Sequence, residues 1–136
     1  VTDISSSLRT FLLTDTSIEG LVGTRVYPDM LPQKSSDVNV LDRPAIWYRT
    51  ISDYDSVSTG GRLELVRMRI EINCVAETRK DANDLAKYVR TKLSGYQGTM
   101  GSHRCQGAFM ENGYTSYDPT TKEYTVSRDF QIWAEE

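Results

Sequence analysis

Between Arg62 and Gly95 the apolar positions recur first at every second residue and then at helical spacing. Val66, Met68, Ile70, Ile72 and Cys74 alternate with Arg67, Arg69, Glu71 and Asn73. Held over so many residues, that alternation predicts a long strand with one dry face and one wet face. Thr78 then reads as the N-cap of a helix whose apolar stripe is Ala82, Leu85, Ala86, Val89 and Leu93. The helix is expected to pack through Leu85, Val89 and Leu93 onto the sheet that contains the strand.

The flanks are less regular. Asp3 is placed to cap a first helix with Ile4, Leu8, Phe11 and Leu12 as its stripe. Ser17 is read as the cap of a short second turn carrying Ile18, Leu21 and Val22, which Gly23 stops. Arg25 to Pro28 predicts a short strand ended by proline, and Pro44 to Ser52 a strand with large side chains on both faces, inside the sheet. From Asp29 to Arg43 there is no period, and Pro32, Lys34, Ser35, Ser36, Asp37 and Asn39 read as a loop. Asp53, Tyr54, Asp55, Ser56, Val57, Ser58, Thr59, Gly60 and Gly61 read as a flexible hairpin tip. These two loops, lacking regular apolar anchors, are the candidate assembly contacts.

After Gly95, Tyr96 to Ser102 is read as a glycine-rich loop, and a three-strand meander is expected to close the chain. Its strands are about Arg104 to Glu111, Tyr114 to Tyr117 and Glu123 to Ala134, with turns at Asn112-Gly113 and Asp118-Pro119. Arg128 interrupts the apolar face of Tyr124, Val126, Phe130 and Ile132, which predicts a bulge or an exposed edge. The expected fold class is α+β, a single domain over residues 1–136. Its mostly antiparallel twisted sheet carries an N-terminal helix and one long helix on one face, with the meander at the C-terminus.

The composition, 38% hydrophobic and 26% charged over 136 residues, suits one ordinary globular core. A net charge of −3 excludes a strongly basic nucleic-acid binder. The bias lies at the end: residues 111–136 hold Lys122 and Arg128 against Glu111, Asp118, Glu123, Asp129, Glu135 and Glu136, a net of −4. Cys74 and Cys105 both fall in predicted strands and are read as buried free thiols of a reducing compartment. No apolar stretch approaches the ~20 residues of a membrane-spanning helix, so no membrane partner is expected.

No catalytic, cofactor-binding or metal-binding set stands out. His103-x-Cys105 supplies two metal-capable side chains, with Cys74 the only obvious third, where zinc takes three or four ligands. Cys74 lies on the dry face of its strand, where a thiol is inert, and Glu111, Asp118 and Asp129 read as solvated carboxylates. Gly60-Gly61 and Gly98-x-x-Gly101 lack the Lys-Ser/Thr and the helix of a phosphate loop. Arg62, Arg67 and Arg69 beside Tyr54 could stack on single-stranded nucleic acid, but Glu64 and Glu71 among them favour ion pairing or a protein interface.

End to end, the chain resembles the tail terminator (tail completion) family of long-tailed bacteriophages. The resemblance rests on the N-terminal helix followed by Leu21-Val22-Gly23 and Arg25-Val26-Tyr27-Pro28. It continues through Pro44-Ala45-Ile46-Trp47-Tyr48-Arg49-Thr50-Ile51, Arg69-Ile70-Glu71-Ile72-Asn73-Cys74 and Ala82-x-x-Leu85-Ala86-x-x-Val89-Arg90, and ends on Asp129-Phe130-Gln131-Ile132-Trp133. It implies a structural virion protein with no enzyme activity and no cofactor. Such proteins form homo-oligomeric, hexameric rings that cap the tail tube, stop its polymerisation and present a surface to the head-closure or connector protein. The implied partners are the tail tube protein, that connector and genomic DNA, which passes through the channel without specific binding. The implied location is the head-tail junction of the virion, after assembly in the host cytoplasm. The alternatives are another head-tail neck protein and, from a different class, a small hydrolase or ligand-binding module.

Overall fold

A computed structural model describes residues 5–32, 42–58, 61–100 and 103–135. Helices α1 (Ser5–Leu13) and α2 (Thr16–Val22) are followed by strands β1 (Val26–Pro28), β2 (Ala45–Ser58) and β3 (Gly61–Ala76). Helix α3 (Arg79–Leu93) then leads into β4 (Gly98–Met100), β5 (His103–Asp118) and β6 (Glu123–Glu135). The strands form one sheet in the order β1-β2-β3-β6-β5-β4. β1 runs parallel to β2, and the other four pairings are antiparallel. The fold is the expected α+β class with a mostly antiparallel sheet.

The alternation of β3 sets the core. Met68, Ile70, Ile72 and Cys74 are buried together with Leu85, Ala86, Val89 and Leu93 of α3 and with Val126, Phe130 and Ile132 of β6. Leu8, Phe11 and Leu12 of α1 and Ile18 and Val22 of α2 join the same cluster, so the three helices share one core with one face of the sheet. α3 begins where predicted: the Thr78 hydroxyl accepts from the Asp81 N–H at 3.2 Å. Asp15 rather than Ser17 caps α2, its carboxylate accepting from the N–H groups of Ser17 and Ile18. A carboxylate ahead of the first turn meets two free donors there, which Ser17, already inside the helix, does not. Gly23 ends α2 at φ 59°, the left-handed conformation glycine adopts without cost.

Three loop or turn readings are corrected by strand pairing. Asp53 to Ser58 continue β2, paired with β3 from Met68 to Gly61, and Gly61 begins β3. Acids and serines are poor strand formers alone, but a partner strand satisfies their backbone regardless of side chain. Thr59 and Gly60 of that segment, and Lys34, Ser35, Ser36 and Asp37 of the other loop, lie outside the described residues. Gly98 to Met100, read as loop, form β4 against Cys105, Arg104 and His103. Asn112-Gly113 is not a turn, because β5 continues through it against Asp129 and Arg128 of an equally long β6. The meander therefore consists of β4, β5 and β6.

Arg128 neither bulges nor borders an edge. β6 is an inner strand, and the irregularities lie on β5, between Cys105 and Gly107 and between Met110 and Asn112. The sheet accommodates Arg128 by placing Gly113 beside it. A Cβ at Gly113 would stand 2.6 Å from Arg128 Nη1 and 2.9 Å from the Ser127 carbonyl, so only glycine fits under this side chain.

Leu85→Ala, which truncates a fully buried side chain at the centre of the helix-sheet contact, should cost about 2–5 kcal/mol in chemical denaturation. A loss within about 0.5 kcal/mol would show that α3 packs through another face.

Candidate assembly surface

The sheet has two long open edges on opposite sides. β1 accompanies β2 only from Ile46 to Tyr48, so among the described residues β2 has no outer strand partner from Arg49 to Ser58. β4 accompanies β5 only from His103 to Cys105, and the Gly95 N–H meets the Ala108 carbonyl. From Phe109 to Asp118, β5 likewise has no outer strand partner among the described residues. An open strand edge is a row of alternating donors and acceptors able to pair with another chain. β6 ends opposite Leu65, so the β2–β3 ribbon extends past the sheet toward Gly61.

The face away from the helices is charged and internally matched. Arg69 Nη2 donates to Asp129 Oδ2 at 2.7 Å, and its Nε lies 3.7 Å from Glu111 Oε2. Glu71 accepts from Arg49 at 3.3 Å and from Asn73 at 3.2 Å, and Ser127 donates to Asn73 at 2.5 Å. Glu71 and Asn73, expected on a wet face, are buried because this network covers them. Arg67 stacks over Trp133 at 5.4 Å. Phe109 and Tyr114 are about half exposed (52% and 54%), with no cover among the described residues.

At one end of this face Arg43 and Glu123 form a buried pair at 2.8 Å, with 5% and 6% of their side chains exposed. Arg43 also donates to the carbonyls of Pro32 and Asp42, so it ties down both ends of the segment that holds Lys34 to Asp37. The pair borders a cleft of about 460 Å³ lined also by Leu31, Trp47, Val75 and Thr125. Two charges that satisfy each other leave little to recognise a small ligand.

On the helix side a smaller notch of about 270 Å³ is lined by Asn83, Ala86, Lys87 and Arg90 of α3 and by Arg128 of β6. Three cations meet there with no carboxylate among the described lining residues. The sequence carries two signals of it, the spacing of Lys87 and Arg90 on one flank of α3 and the interruption of β6 by Arg128. No local signal links Arg43 to Glu123, which are 80 residues apart.

The residues considered for chemistry do not converge. His103 Nδ1 shares a hydrogen bond with Ser7 Oγ at 2.7 Å, while the Cys105 thiol faces the Tyr96 carbonyl at 3.8 Å. Both cysteines are free and buried. Among the described residues no group of three metal-capable side chains forms. Burial pushes the Cys74 thiol up to about 12, against the opposing pull of Arg128. Burial also raises Cys105, against the Gly107 N–H. Asp53 to Ser58 and Gly61 lie along the open β2 edge and ribbon rather than on a loop.

A family model described as Tail completion protein gp17 matches residues 6–135. No curated protein matches the sequence. Among solved structures, a chain from the virion of a native gene transfer agent (GTA) particle superposes with a TM-score of 0.69 at 15% sequence identity, covering 100% of both chains. At that identity the likeness is one of fold.

Two outcomes test this geometry. Glu123→Gln, which strands the buried Arg43 charge, should cost about 3–5 kcal/mol, whereas replacing both partners by apolar residues of similar volume should cost less. Equal losses in urea titrations would show that the pair is not closed. The folded state keeps the Cys74 proton that the unfolded chain releases above its ordinary 9.0, so stability should fall as pH rises from there toward about 12. At pH 8, iodoacetamide should label Cys74 only as fast as the chain unfolds; rapid native-state labelling would contradict its burial.

Proposed function

The chain belongs to the Tail completion protein gp17 family, a structural, tail-associated protein, and we propose that it is a ring-forming tail terminator. In this reading it caps the tail tube, stops its polymerisation and joins the tail to the head connector, and it acts without catalysis. The observation that carries the reading is the pair of open edges at opposite sides of one sheet. Two different edges on one protomer suit a head-to-tail contact, and head-to-tail contacts related by a closing rotation make a ring. Because β2, β3, β6 and β5 alternate in direction, β2 of one copy meets β5 of the next antiparallel. A hexamer is the ring proposed, as the resemblance implies. Its partners are the tube protein on one side and the head-closure or connector protein on the other, at the head-tail junction, after assembly in the host cytoplasm.

With the helices outside, the helix-free face lines the channel. Among its described residues Arg49 and Arg69 are held by Glu71, Glu111 and Asp129 and Arg67 lies over Trp133, so DNA traverses it without a continuous cationic track.

Micrographs of tails assembled with and without the chain test this function. With it, tubes should end at a uniform length under a terminal ring; without it, they should overgrow. Native mass spectrometry of that ring should give a hexamer, and a two-fold dimer as the only virion form would overturn the proposal. Duplex binding at physiological salt should be weak and insensitive to sequence; sub-micromolar, sequence-dependent affinity would contradict the passive channel.

A further inference from the structure

The two open borders of the sheet match in length. Among the described residues the outer side of β2 is free over residues 49–58, and that of β5 over residues 109–118. The first stretch begins where β1 ends against Tyr48. The second begins just past the Gly95–Ala108 hydrogen bond and ends with the strand at Asp118. Four of the five large apolar side chains exposed among the described residues, Ile51, Phe109, Tyr114 and Tyr117, lie within these two stretches. Apolar surface gathered along two unpaired edges is what a strand-to-strand contact covers.

Laid antiparallel and overlapped in full, the stretches bring Arg49 of one copy opposite Asp118 of the next. Both side chains belong to the helix-free face. Arg49 stands across from Glu71 and donates to it through Nε at 3.3 Å, while Asp118 stands across from Glu123, which meets Arg43 on that face. Each has capacity left. The Arg49 side chain is 54% exposed, and among the described residues only its Nε is engaged. Asp118 is exposed, accepts from the Thr120 N–H at 2.9 Å and has no ion pair among the described residues. Opposed residues of antiparallel strands stand about 4.5–5.5 Å apart, within reach of a guanidinium and a carboxylate.

The border strand limits how far the copies slide. Moving Tyr48 opposite Asp118 would place Pro28, which already flanks Tyr48, in the position of β5. Sliding the other way removes rungs and parts Arg49 from Asp118. The Ser116 rung leads through Thr125 and Val75 to Ala45, so full overlap offsets neighbouring copies by several residues. Tilted strands in a closed barrel require such a stagger.

We propose that ring neighbours join with residues 49–58 of one copy along residues 109–118 of the next, and that an Arg49–Asp118 ion pair across the joint sets its register. The proposal rests on the ring reading and adds which residues meet. A second copy is the occupant because one chain supplies both halves: equal free stretches, opposite charges at the matched ends, and exposed apolar side chains on each. Register needs such a device, because backbone pairing alone tolerates slippage along an edge.

Asp118→Lys, which sets two cations face to face, should raise the concentration needed for ring formation at least about tenfold in native mass spectrometry. Circular dichroism verifies that this exposed substitution leaves the protomer folded. Adding Arg49→Gln should restore most of the loss by removing the repulsion from the opposite border of the sheet, where a purely local role of Asp118 would not be relieved. Register is read by cysteine pairs in assembled rings, free or on tails. Oxidised Arg49→Cys/Asp118→Cys should run on denaturing gels as covalent multimers up to the whole ring, since opposed Cα atoms stand within disulfide reach. Arg49→Cys/Tyr114→Cys, out of register on the same face, should stay monomeric. If Asp118→Lys does not fold, the cysteine pairs decide the matter alone. Wild-type rings with Asp118→Lys unaffected or unrelieved, or cross-linking through residue 114 in place of 118, would overturn the inference while leaving the ring itself standing. A wild-type chain that forms no ring, free or on tails, would remove both.

Discussion

Burial of alternate β3 side chains beneath α3 is the constraint on which the rest of the structure depends. Met68, Ile70, Ile72 and Cys74 must all face the helix, and a slip of one residue would turn every one of them outward. With β3 held, β2 and β6 on either side inherit their registers, and β5 inherits its own from β6. The two outer strands are the last to be set, and each is covered by a partner over only three residues. The open edges follow from a sheet built outward from a buried centre with short strands at its borders.

The opposite face obeys a different rule. There the strands carry charge at positions where neighbours meet, and each buried charge has a partner: Arg43 with Glu123, and Glu71 with Arg49 and Asn73. Such pairs add little net stability over apolar replacements, but breaking one strands a charge away from water. Arg43 also holds the chain on either side of residues 33–41, so β2 enters the sheet from a fixed point.

Arg128 brings the two rules together. An arginine on the core face of an inner strand is unfavourable unless its charged end escapes, and here it escapes along β5 because Gly113 leaves the path clear. That geometry directs a cation from the middle of the sheet to its open border.

The sequence by itself determined the elements whose signals are local. The period of β3, the capped stripe of α3 and the glycine stop of α2 all stood where the chain placed them, because each arises from residues a few positions apart. The resemblance, carried by the order of short segments along the whole chain, pointed to the family that the match over residues 6–135 shows. Tertiary structure alone decided what depends on partners distant in sequence. Asp53 to Ser58 became strand because β3 offered a complete ladder, and Asn112-Gly113 lost its turn because β6 was long enough to pair through it. Glu71 and Asn73 were buried by neighbours on other strands, and Gly113 proved to be room for Arg128. In each case local propensity, worth a fraction of a kcal/mol per residue, was overridden by hydrogen bonds and contacts that exist only once the strands are side by side.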